Sequence, residues 1–89
     1  MVTSIHDLVK IPDNAIKMIV AGLETDELIT FLMEAPSEVK EKIYANLTKE
    51  HFGILYKRLN LTHYPSMEEF QHAFKHIVAK ANELEAVGY

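Results

Sequence analysis

The sequence contains no cysteine and no tryptophan. Without thiols there can be no disulfide, no thiol nucleophile and no thiolate metal ligand, and the composition suits a reducing compartment. Only three glycines and three prolines occur in 89 residues, too few for a linker or a low-complexity tail. No stretch reaches the roughly 18 consecutive apolar residues that a membrane-spanning helix needs. The opening residues, MVTSIHDLVK, carry Asp7 where a signal peptide requires an unbroken apolar run. The chain therefore reads as cytoplasmic. Cations are outnumbered as well: nine Lys and Arg face thirteen Asp and Glu, leaving a net charge of −4. That balance lacks the basic footprint of a nucleic-acid binder. Also missing are a Gly-x-Ser-x-Gly elbow and a glycine-rich phosphate loop, so no enzyme chemistry is expected and no cofactor is implied.

What is present is helical periodicity. Apolar residues recur at spacings of three and four, while strict alternation never persists. Ser4 is placed to cap a short first helix carrying Ile5, Leu8 and Val9. Pro12 suits the start of a second, with Ile16, Ile19, Val20 and Leu23 as its stripe and Gly22 as its stop. Thr25 is the expected cap of a third helix bearing Leu28, Phe31 and Leu32, and Ser37 that of a fourth bearing Val39, Ile43 and Leu47. Thr48 opens a fifth with Phe52, Leu55, Tyr56 and Leu59, followed by a loop over 60–65. Ser66 and Glu69 form a capping box for the last and longest helix, which carries Phe70, Phe74, Ile77, Val78, Ala81 and Leu84 and stops at Gly88. Six short-linked helices with single apolar stripes cannot stand alone and must pack as a helical bundle or short solenoid. The aromatic residues are assigned mainly to the core, with Tyr64 and Tyr89 outside it, and Met18 and Met33 read as gap-fillers.

Two features carry candidate chemistry. His72 and His76 are four apart on one helix, a spacing able to clasp a metal, with Glu68 or Glu69 one turn earlier. Lys75 sits between them and the zincin glutamate is missing, so they read as surface histidines and no metal is expected. His6, His51 and His63 have no ligand-spaced neighbours. On the fifth helix, Glu50 and Lys57 lie seven apart and so share a face, with Arg58 about 100° further round. Phe52, Leu55 and Leu59 are expected to turn inward and leave these charges in solvent. Lys57 and Arg58 also suit the negative end of the helix dipole, an effect of about 0.3–1 kcal/mol. The plain reading is a solvated charged face. The sharper one is an interaction stripe for a partner of complementary sign, formed by weak, salt-screened pairs.

The order of these segments resembles the C-terminal domain of the flagellar motor switch protein family FliG. The matching residues are Ile5-His6-Asp7-Leu8-Val9, then Ile11-Pro12-Asp13-Asn14-Ala15-Ile16 and Leu23-Glu24-Thr25. Further on they are Glu34-Ala35, Val39-Lys40-Glu41-Lys42-Ile43, the junction Asn46-Leu47-Thr48, the frame Ile54-Leu55 with Leu59, and Ser66 through Gly88. The resemblance covers nearly the whole chain and rests on order and spacing rather than on one motif. It implies an all-α, compact six-helix right-handed superhelical (armadillo-like) bundle, with residues 1–89 as one domain.

By the same resemblance the domain is a rotor and switch component. Its fifth helix, 48–60, would meet the cytoplasmic loop of the stator protein MotA, alongside contacts with other rotor proteins. It would lie at the cytoplasmic face of the inner membrane, held there through partners only. Glu50, Lys57, Arg58 and Lys49 are the candidate partner-binding residues. In the family a basic residue stands near the start of that helix and an acidic pair near its end, so the signs here are reversed. A further basic position of the family falls on Ser66. The family's Met-Phe-Val-Phe hinge would fall on Val2-Thr3-Ser4-Ile5, which does not match, and the family's other domains are not in this sequence. The missing domains imply either a fragment or a stand-alone relative. The reversed charges and unmatched hinge keep a second expectation open, a divergent non-motor protein-interaction or adaptor module on the same scaffold.

Overall fold

The computed structural model of the chain describes residues 4–61 and 64–88. A 3₁₀ helix, η1 (Ile5–Lys10), precedes five α-helices: α1 (Asp13–Ala21), α2 (Thr25–Glu34), α3 (Ser37–Tyr44), α4 (Lys49–Leu61) and α5 (Met67–Ala86). With η1 counted there are six helices, as expected, and no strand occurs among the described residues. The fold is all-α. The fifth helix of the sequence reading is α4.

Helix ends follow local chemistry. At α5 the Ser66 hydroxyl accepts from the Glu69 amide and the Glu69 carboxylate accepts from the Ser66 amide, both at 3.1 Å. These reciprocal bonds satisfy donors that a helix start otherwise leaves unpaired. At α4 the Thr48 hydroxyl accepts from the His51 amide at 3.0 Å. Gly22 ends α1, and Gly88 follows α5 in the left-handed region at φ 81°, where a side chain would be strained. Two expected caps shift by one residue. Glu24, not Thr25, occupies the N-cap of α2, and its amide is held by the Glu27 carboxylate at 3.4 Å. Pro36, not Ser37, precedes α3, because its fixed φ of −59° lets its carbonyl accept directly from the Val39 and Lys40 amides.

The expected loop over 60–65 is shorter at its start, since α4 runs on through Leu61. Asparagine lowers helix propensity without breaking a helix, so Asn60 alone does not end α4. Residues 62 and 63 lie outside the described residues, as do Val2, Thr3 and Tyr89.

The core is organised around α2. Leu28, Ile29, Phe31 and Leu32 are all buried there, more than one helical stripe, because α2 packs against both α5 and α4. Ile29 escaped the periodicity argument for that reason: a helix covered on several sides buries residues off its main stripe. Phe31 has no solvent exposure. Its ring stacks on Phe70 at 5.6 Å and on Phe74 at 6.2 Å, with interplanar angles of 5° and 13°. η1 packs on α3, and α1 on α5. Met18 departs from the expected core assignment and is exposed, because it lies on the side of α1 opposite Ile16, Ile19 and Val20.

Replacing Phe31 with alanine removes both stacked pairs and opens a cavity at the α2–α5 contact. The expected loss is about 3–5 kcal/mol of unfolding free energy, measured by urea denaturation followed by helical circular dichroism.

Candidate functional site: the outer face of helix α4

Helix α4 is the most lightly anchored of the long helices. Leu55 is its one fully buried residue among those whose burial is described, with His51 and Leu59 half-buried beside it. A second tie is ionic: the Arg58 guanidinium donates to the Asp26 carboxylate at the start of α2. Both groups are substantially exposed, so this pair contributes on the order of 0–1 kcal/mol. It nevertheless fixes where Arg58 points, across to α2 rather than alongside Lys57.

The other three candidate residues behave differently. Lys49, Glu50 and Lys57 are exposed. None of them forms an ion pair or side-chain hydrogen bond among the described residues. Glu50 and Lys57 stand about 10 Å apart along the helix axis, on the side of α4 turned away from Leu55. The structure thus brings Glu50 and Lys57 onto one free face, puts Lys49 at its border, and assigns Arg58 to an internal tie.

Two aromatic assignments are corrected. Phe52 and Tyr56, placed on the buried stripe by periodicity, are 39% and 58% exposed. The covered strip of α4 is narrow because α2 is its principal neighbour. Beyond that strip, Phe52 meets the Tyr44 ring edge-on at 5.3 Å and stacks with Tyr56 at 6.0 Å. The three rings form a surface row from the end of α3 along α4. Burial raises the Tyr44 phenol above its ordinary value, and its ring backs the row.

Residues missed by the sequence argument complete the face. Ile54 is 54% exposed. A methyl group added at Gly53 would meet nothing within 4 Å. Glycine in mid-helix costs about 0.5–1 kcal/mol relative to alanine, and here no neighbouring side chain requires the space. The signal was legible in part: positions 50, 53, 54 and 57 follow the i, i+3, i+4, i+7 spacing of one helical face.

The histidine pair is arranged otherwise than a metal clasp. His76 Nδ1 lies 2.7 Å from the Glu27 carboxylate, joining α5 to α2. No group of three or more ligating side chains able to hold a metal occurs among the described residues. The bond from His76, then a weaker backbone bond from Glu24, hold Glu27 below the ordinary carboxylate value against the opposing effect of burial. Similar links close the other end of the molecule. His6 reaches Glu38 at 2.5 Å, and Asp13 accepts from Lys42 at 2.8 Å and from Asn46 at 3.2 Å. Those two bonds lower the Asp13 carboxyl in turn.

The fold is all-α, and α4 turns a charged and partly apolar face to solvent. The family model for the FliG C-terminal domain matches residues 1–89, and the chain belongs to that family. It is a flagellar rotor and switch domain, in a family of motor components rather than enzymes. No curated protein matches the chain significantly.

Because Glu27 is depressed in the folded state, its stabilisation is present above the ordinary glutamate value of 4.5 and is lost as pH falls through the lower folded value. Glu27→Gln should therefore lower stability at neutral pH and flatten the acid limb of a plot of unfolding midpoint against pH. An acid limb identical to wild type would show that the bond to His76 contributes nothing.

Proposed function

We propose that the outer face of α4 is the surface through which this domain engages the stator. Glu50 and Lys57 carry the contact, Lys49 extends it, and Arg58 holds α4 in register against α2. The observation that supports this most directly is the pairing state of the charges. Glu50 and Lys57 are exposed and make no ion pair among the described residues, so neither must break an internal bond before meeting a partner. Surface charges of this kind steer encounter and set polarity while adding little affinity. A contact that forms and breaks at each step of rotation needs that balance.

The partner is a MotA-type cytoplasmic loop at the cytoplasmic face of the inner membrane. In the family a basic residue precedes an acidic pair on this helix, whereas here an acidic residue precedes a basic pair. The partner loop is accordingly one of inverted charge order. The domain takes part by contact and carries out no chemistry of its own. The same inversion favours a second reading, in which the scaffold serves as an adaptor outside the motor.

Lys57→Glu in the native host separates these readings, because Lys57 has no structural bond to lose among the described residues. Under the stator reading the variant accumulates normally and stays folded, its melting temperature falling by no more than the roughly 4–8 °C that a lost dipole interaction of about 1 kcal/mol allows, yet swimming is abolished or severely reduced. A compensating charge reversal in the stator loop restores it. Unchanged motility at normal expression would favour the adaptor role. Arg58→Glu is the poorer probe, since it also breaks the tie to Asp26.

A further inference from the structure

We propose that the α4 face pairs with a second copy of itself, two α4 helices crossing antiparallel with Gly53 near the twofold axis. The charge pattern carries the inference. Glu50 lies three residues before Gly53 and Lys57 four residues after it, on the same face and with opposite sign. Turning a second copy end over end about a point between 53 and 54 sets Glu50 of each protomer against Lys57 of the other. A face that is its own complement under a twofold rotation is the requirement for an isologous dimer.

The other features of the face fit the same arrangement. Space beyond Gly53 is open, so the two backbones can approach more closely than side chains normally allow. Ile54 is exposed beside the axis and would pack on its symmetry mate, removing apolar surface that the monomer leaves in water. To one side Tyr56 is braced by its stack on Phe52, which in turn is held edge-on by Tyr44. That wall is largely ordered beforehand and loses little freedom on association.

One face of a 13-residue helix buries less than the roughly 800 Å² per partner of a stable complex. The pairing is therefore weak, salt-sensitive and dependent on local concentration. Self-pairing occupies the face assigned above to the stator, so the two contacts exclude each other, and neither depends on the other being correct.

Sedimentation velocity of the full chain over about 5–500 μM at low and high salt tests the proposal. The expected result is a weight-average mass that rises with concentration and falls with salt. Glu50→Lys or Lys57→Glu alone should abolish the rise, while the double exchange Glu50→Lys/Lys57→Glu restores it. Gly53→Ala should raise the melting temperature by roughly 4–8 °C while weakening self-association, and Gly53→Trp should weaken it further. A purely structural glycine would give the thermal gain with association unchanged. A monomer at every concentration overturns the proposal, as does a double exchange that fails to recover. If the purified cytoplasmic segment of the host stator binds this face while the chain stays monomeric, the stator contact stands and self-pairing does not.

Discussion

The packing of α2 against α5 through Phe31 is the contact on which the rest of the architecture depends. Phe31 is fully buried and forms a three-ring cluster with Phe70 and Phe74, which also stack on each other at 6.4 Å. Burial of such a ring contributes about 1.5–3 kcal/mol, and each well-placed aromatic pair adds roughly 0.5–1.5 kcal/mol. A chain of this size buries only about three-fifths of the surface it exposes when unfolded, so a cluster of this kind is a large share of what opposes chain entropy. With α2 fixed on α5, α1 and α4 gain surfaces to pack on, and η1 closes against α3.

The same economy explains why α4 is available for binding. It reaches the core chiefly through Leu55 and is oriented by Arg58 on Asp26. A helix held by a narrow strip keeps most of its circumference outside. Its outer face then carries two charges of opposite sign that make no ion pair among the described residues, an isoleucine and a mid-helix glycine, with Tyr56 stacked on Phe52 to one side. Elsewhere, ion pairs join one element to another, as His76–Glu27, Lys42–Asp13 and His6–Glu38 do.

Much of the fold was legible because its determinants are local. Ser66 and Glu69 act over three residues, and Thr48 reaches His51 over three. The stripes of α1, α3 and α5 repeat within a turn or two, although α1 and α3 end before Leu23 and Leu47, which pack on the core from the connecting segments instead. Where the reading erred, the missing information came from elsewhere in the chain. Phe52 and Tyr56 obey helical periodicity yet remain exposed, since no neighbour covers that side of α4. Ile29 is buried because α2 has neighbours on more than one side. Of the candidate charges, the sequence could name Glu50, Lys57, Arg58 and Lys49, but it could not sort them.

What the sequence determined by itself is the set of helices, their approximate ends, the absence of thiol chemistry and the kinship with a flagellar switch domain. Each of these rests on residue identities or on spacing within a few positions. The tertiary structure alone decided which charges are already engaged and which remain free. Arg58 is spoken for by a residue 32 positions away, and His76 by one 49 positions away. A hydrogen bond or ion pair acts over a few ångströms of space, and distance along a chain carries no record of that proximity until the helices have packed.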